Sequence, residues 1–203
     1  MSDDQDPIPE RFQDDDEIID FQARLLKRIK FDMSMLEMQK ADLLDNARNN
    51  MNVTERTHLA VLRLMEAKGL GQLLEVVTGE WPEIMDTDVV SISMEGEDNV
   101  LPREATKGVF VIPPGTIDQM MGEGVNAALF PDPMARDLIY GPAAPMVQSD
   151  ALVRLTQTGG APAGLLAFGS GQAGTFQPGM GTDLIEFLGD ALVRMLRLWL
   201  DLP

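Results

Sequence analysis

The residues of this chain best equipped for chemistry are few, and each has a competing structural explanation. Gly169-Ser170-Gly171-Gln172-Ala173-Gly174 matches G-x-G-x-x-G behind a strand-like run, the arrangement that sets a pyrophosphate on a helix N-terminus. The context fails. Thr175 to Gly181 separates the motif from the next helix, Pro178 breaks any earlier one, and no strand follows that helix to complete a βαβ unit. These glycines read as a flexible strand-to-helix connection. Glu95-Gly96-Glu97-Asp98 gathers carboxylates suited to a hard cation, but it lacks the ligand spacing of a calcium loop and reads as a solvated turn. The single histidine, His58, has apolar neighbours in Leu59, Val61, Leu62 and Met65 and no acid partner in view. An interfacial or buried hydrogen-bonding role suits it better than that of a base or ligand. With no cysteine, disulfides, thiolate metal sites, cysteine nucleophiles and thioether-linked chromophores are excluded. No nucleophile-base pair stands out, so the expectation is a protein that is not an enzyme and carries no cofactor or metal.

The elements that must position any site fall into two regions. Residues 1–16 are acidic, polar and nearly free of apolar side chains, and are expected to be disordered. From Asp16 to about Asn50 there is no Gly or Pro, and Ile19, Leu26, Ile29, Met33, Leu36, Leu43 and Ala47 recur at heptad spacing. That spacing predicts a coiled-coil seam over 17–50. Gln22, Lys40 and Asn50 interrupt the seam, which lowers stability but can fix register and strand number. Asn52 and Glu55 suit a capping box, which leaves open whether the helix breaks near Asn50 or continues to Lys68.

Residues 51–203 read as one domain. Gly69 ends the helix, and Gly71–Thr78 starts another amphipathic stretch before Trp81-Pro82. Beyond Asp86 the period becomes that of strands: Asp88–Glu95, Gly108–Ile112, Ala127–Phe130, Ser149–Gln157 and Ala161–Gly169. Thr158-Gly159-Gly160 is short enough to close an antiparallel hairpin. Thr116–Met121 reads as a short helix, and Pro133–Tyr140 as a helix or loop. In the last helix Asp183, Glu186, Asp190, Arg194, Arg197 and Asp201 form one narrow polar stripe, so two sides of it should be covered. The expected class is α+β: an N-terminal coiled-coil helix, then an antiparallel sheet flanked by helices.

The net charge of -17 is uneven, and the globular part carries much of the excess. Direct nucleic-acid binding by that part is therefore not expected, because phosphates require a basic surface. No run of about 18 apolar residues predicts a membrane span, and the acidic N-terminus is unlike an export signal. A cytoplasmic location with no membrane association is expected.

Asn46-Ala47-Arg48-Asn49-Asn50, Arg56-Thr57-His58, Ser149-Asp150-Ala151-Leu152-Val153-Arg154-Leu155 and Gly164-Leu165-Leu166-Ala167-Phe168-Gly169-Ser170 form a pattern that Phe176, Met180-Gly181-Thr182-Asp183 and Leu188-Gly189 complete. Together these segments resemble the bacterial "domain of unknown function 484" family, which is similar in fold to GAF domains. The resemblance implies a GAF-like six-stranded antiparallel sheet, helices that associate between subunits, and no assigned catalysis. It also places Met120, Met121, Phe130, Tyr140 and Phe168 around a candidate ligand pocket, with Arg136 and Ser149 as polar anchors. The functional expectation is a homodimeric, non-enzymatic regulatory or sensory module with an unidentified small molecule in an apolar pocket. The alternative is an adaptor that holds a protein partner through its coiled-coil helix and binds no small molecule. Fourteen methionines suit either a plastic partner groove or ordinary gap filling.

Overall fold

A computed structural model of the chain describes residues 10–96, 109–155 and 163–200. Two compact units divide it, Met1–Met51 and Asn52–Pro203. Helix α1 runs over Glu10–Glu66. It starts earlier than the composition predicted, for Glu10–Asp16, expected to be disordered, is helical. Acidic side chains favour the positive end of the helix dipole, which offsets the low apolar content there. Nor does the helix break at Asn49-Asn50-Met51, since neither Gly nor Pro stands there to end it. Of the seam, Leu26, Ile29, Met33, Leu36 and Leu43 are between 45% and 69% exposed. The side chains of Ile19 and Ala47 lie outside the described residues.

Within Asn52–Pro203, α2 (Leu70–Glu75) runs through a wide turn, Val76–Glu80, into α3 (Trp81–Met85). Trp81-Pro82 opens α3 instead of stopping the chain, because proline is tolerated in a first helical turn, where its missing N–H would have no partner. The remaining elements are β1 (Val89–Glu95), β2 (Val109–Ile112), α4 (Thr116–Met121) and β3 (Ala127–Phe130). After them come α5 (Arg136–Tyr140), a 3₁₀ turn at Gly141–Met146, β4 (Ser149–Leu155), β5 (Gly164–Ser170) and α6 (Asp183–Leu200).

Among the described residues the sheet has five strands in the order β2-β1-β5-β4-β3. The pairs β1/β5, β5/β4 and β4/β3 are antiparallel, whereas β1 and β2 are parallel. The parallel pair departs from the expectation of an all-antiparallel sheet, and a sixth strand is not found among the described residues. The stretch between Glu95 and Val109 is long enough for a crossover, so nothing compels a hairpin there. The predicted turn Thr158-Gly159-Gly160 lies outside the described residues.

Strand alternation splits the core into two layers. One face of the sheet carries Val90, Ile92, Ala151, Val153, Leu155, Leu166 and Phe168, packed with Ala60, Leu64, Leu73, Val77 and Trp81 and with Leu188 and Leu192 of α6. Phe168 stacks on Trp81, ring centroids 6.3 Å apart and planes 6° from parallel. The indole N–H of Trp81 donates to the carbonyl of Ala60 at 3.1 Å. Helix α6 lies close on β4 because Gly189 has no side chain: a Cβ there would sit 2.6 Å from Val153 Cγ1. Its outer residues Phe187, Leu198 and Trp199 remain exposed.

Candidate functional site

The opposite face of the sheet is covered by the short middle elements. Ile112, Leu152, Leu165 and Ala167 pack there with Ile117, Met120 and Met121 of α4, Ile139 and Tyr140 of α5, and Ala144 and Val147. Two polar anchors hold α4 in place. Glu95 Oε1 accepts the backbone N–H of Ile117 at 2.8 Å, so this acid caps a helix and is not left to a solvated turn. Arg154 donates from Nη2 to the carbonyl of Gly122 and from Nε to that of Val125, both at 2.9 Å, and pairs with Asp118 at 2.8 Å.

A buried acid sits in this layer. Asp150 pairs with Gly169 on β5 and with Phe130 on β3, two residues along β4 from Leu152 and therefore on the same face. The Tyr140 hydroxyl donates to Asp150 Oδ2 at 3.2 Å, while Asp150 Oδ1 is buried with no hydrogen-bond partner. Burial pushes the Asp150 carboxyl up to about 7, against the opposing pull of the Tyr140 hydrogen bond and the Arg136 charge. Tyr140 is raised well above its ordinary value, by burial first and then by the Asp150 charge and hydrogen bond. Gly169 makes room for the ring, since a Cβ there would lie 3.1 Å from Tyr140 Cε1 and 2.8 Å from both Val147 Cγ2 and Val89 Cγ1.

Arg136 opens α5 and bonds to the same layer. Its Nη1 donates to the carbonyl of Val147 at 2.7 Å, and its charge acts on Asp150. On its outer side Arg136 lines a surface depression of about 410 Å³, with Pro133, Ala135, Asp137, Ala144 and Pro145. Ala135, just ahead of α5, has φ 53°, a left-handed conformation unusual for a residue with a side chain.

The structure brings together five of the seven candidate pocket residues. Met120, Met121 and Tyr140 are buried in one cluster, Phe130 packs against it, and Arg136 acts on the same acid as Tyr140. Phe168 does not join them, because as the neighbour of Ala167 on β5 it points to the other side of the sheet, onto Trp81. Ser149 is likewise misplaced as an anchor: its hydroxyl donates to the carbonyl of Gln172 at 2.7 Å and clips β4 to the glycine-rich connection. Asp150 was missed from the sequence. Its signal was an acid inside an apolar strand, on the face shared with Leu152.

The glycine-rich connection has its own internal partners. The N–H of Gly171 donates to Asp88 Oδ2 at 2.7 Å and that of Gln172 to the Ser170 hydroxyl at 3.2 Å, so both amides are occupied and a carboxylate stands where a phosphate would. His58 is exposed, which removes the buried role considered for it. Among the described residues no group of three or more His, Asp or Glu could hold a metal ion. None of the described helices is long and apolar enough to cross a membrane.

The five-stranded sheet with helices packed on both faces is a GAF-like fold, as solved structures show. The GAF domain from a phosphoenolpyruvate-protein phosphotransferase of Coxiella burnetii superposes with a TM-score of 0.52 at 14% identity, covering 74% of this chain and 95% of that one. The chromophore-binding domain of the bacteriophytochrome RpBphP3 from R. palustris gives a TM-score of 0.50 at 11% identity, covering 73% of this chain and 62% of that one. A search of curated proteins found no match. The chain belongs to the family described as "Protein of unknown function, DUF484", whose model matches residues 11–201.

Proposed function

We propose that this protein is a non-enzymatic regulatory module that works as a homodimer, with α1 as the dimer seam and the layer around Tyr140 as the small-molecule sensing part. The observation that carries the proposal is the exposed apolar row Leu26, Ile29, Met33, Leu36 and Leu43 on α1. A second copy of the same helix suits that row, because heptad spacing lets identical seams interlock knobs into holes. The GAF-like fold, which in the RpBphP3 structure forms a chromophore-binding domain, supports a ligand-holding role for the layer under α4 and α5. Light scattering on the full chain tests the assembly. A mass of two chains is the expected result, and a monomer at micromolar concentration removes the dimer.

One observation favours the adaptor reading. Tyr140, Val147 and Val89 crowd over Gly169 so closely that the middle of the layer is filled by side chains. Native mass spectrometry of freshly purified protein separates the two readings: a bound small molecule supports the sensor, and bare chains that capture a protein through α1 support the adaptor.

A further inference from the structure

We propose that α6 carries a second self-association surface, on which two copies of the chain pair their α6 helices antiparallel about a two-fold axis beside Leu192. This contact is separate from the α1 seam and joins chains that the seam leaves apart.

Leu188, Leu192 and Leu196 of α6 belong to the core on the sheet. The helix is apolar on a second side as well, where Phe187 and Leu198 are exposed and Ala191 is half-buried between them. At 3.6 residues per turn, Phe187, Asp190, Ala191, Arg194 and Leu198 fall within about 100° of arc and form one outward strip. The small Ala191 near its middle lets another helix come close, since the side chains at a contact set the distance between helix axes. Asp190 and Arg194 are exposed, and neither side chain makes an ion pair or hydrogen bond among the described residues.

Charge decides what covers the strip. The acids of α6, Asp183, Glu186 and Asp190, all precede its bases, Arg194 and Arg197. The helix dipole accounts for charges in the first and last turns, and Glu186 there accepts the Thr182 hydroxyl. It does not account for Asp190 and Arg194, which lie more than a turn from either end. A parallel copy in register sets each charge beside its like, whereas an antiparallel copy sets acid beside base. Placing Asp190 opposite the partner's Arg194 centres the pair on Leu192, and the two-fold axis makes that contact twice. The same centre brings Phe187 opposite the partner's Leu198 to within one residue along the helix. One register therefore matches the charges and covers the exposed apolar side chains together. The strip is short, so the contact is smaller than a stable dimer needs and forms only at high protein concentration.

The test uses the full chain carrying Leu36→Glu and Leu43→Glu, so that the α1 seam does not contribute. Sedimentation velocity from about 10 to about 500 µM should show monomers giving way to dimers, as a small contact requires. Added singly to that chain, Asp190→Lys and Arg194→Glu should each weaken the association at least tenfold, because each makes the strip repel its own copy. An equal mixture of the two variants restores both ion pairs between unlike chains and should associate as well as the parent. If a charge variant fails to fold by circular dichroism, Asp190→Asn and Arg194→Gln replace the pair, and each should then weaken the association. A parent that stays monomeric at the highest concentration overturns the proposal, as do folded single variants that associate like the parent. A charge-reversal mixture no better than its components overturns the antiparallel register.

Discussion

Gly169 and Tyr140 occupy one volume between them: the Cβ that Gly169 lacks would stand 3.1 Å from the tyrosine ring, and the strand partner of this glycine is Asp150, which accepts the tyrosine hydroxyl. The glycine thus leaves the space in which a large aromatic reaches a buried acid.

Gly169→Ala should therefore destabilise the domain by about 1–3 kcal/mol, the usual result of forcing a methyl group into a filled core. Gly79→Ala is the control, because nothing lies within 4 Å of its Cβ position and alanine is the better helix former. Urea unfolding of the two variants should move the midpoint in opposite directions. An unchanged midpoint for Gly169→Ala would show that the layer yields easily.

The Asp150 carboxyl makes stability depend on pH in a direction that can be worked out. In the unfolded chain it titrates near 3.8 and in the fold near 7, so between these values the folded state holds the extra proton. Stability from this group is full below about 4 and is lost as pH rises through 7. Asp150→Asn removes the titration and serves as reference, which also cancels the general effect of the acidic net charge. The wild type should lose on the order of 1–3 kcal/mol relative to the variant between pH 5 and pH 8. Parallel stability curves for the two proteins would contradict this.

On the other face, Phe168→Ala should cost about 3–5 kcal/mol through the lost ring and the cavity beside Trp81. Phe168→Leu should cost less, because more of the volume is retained. Trp199 is partly exposed, so a Trp199→Phe background leaves Trp81 as the fluorescent reporter of that face. In that background Phe168→Ala should shift the emission to longer wavelength, and an unshifted spectrum would mean the indole is held by the Ala60 bond alone.

The α1 seam is tested without removing any part of the chain. Leu36→Glu with Leu43→Glu places charges on the exposed apolar row and should convert a dimer to a monomer by light scattering. Met38→Glu, off the heptad positions, should leave the mass unchanged. If both variants stay dimeric, the contact lies elsewhere, and the exposed Phe187, Leu198 and Trp199 of α6 become the next surface to alter.

Local pattern was enough to place β3 at Ala127–Phe130 and α4 at Thr116–Met121, because proline and glycine stand close to their ends. It was also enough to identify the strands around Ala151 and Leu166. What it could not supply was which side of the sheet each residue meets. Ala167 and Phe168 alternate by necessity, but only packing decides that the phenylalanine meets Trp81 and the alanine meets the α5 layer. The parallel β1/β2 pair was illegible for a related reason, since strand direction is set by the crossover and leaves no mark in the strand residues themselves. Asp150 was hidden because a polar Ser-Asp opening looks like the edge of a strand, whereas β4 is flanked on both sides and covered at that end.

The strand order also has a consequence for synthesis on the ribosome. Val89 pairs with Gly169 and Met94 with Gly164, so β1 remains without its antiparallel neighbour until the chain has been made through β5. The backbone hydrogen bonds of helix α1 are local and can form early, but the pairing of β1 with β5 closes late. A nascent chain stalled before Gly164 should present β1 as an open edge, the state most exposed to chaperones and to aggregation.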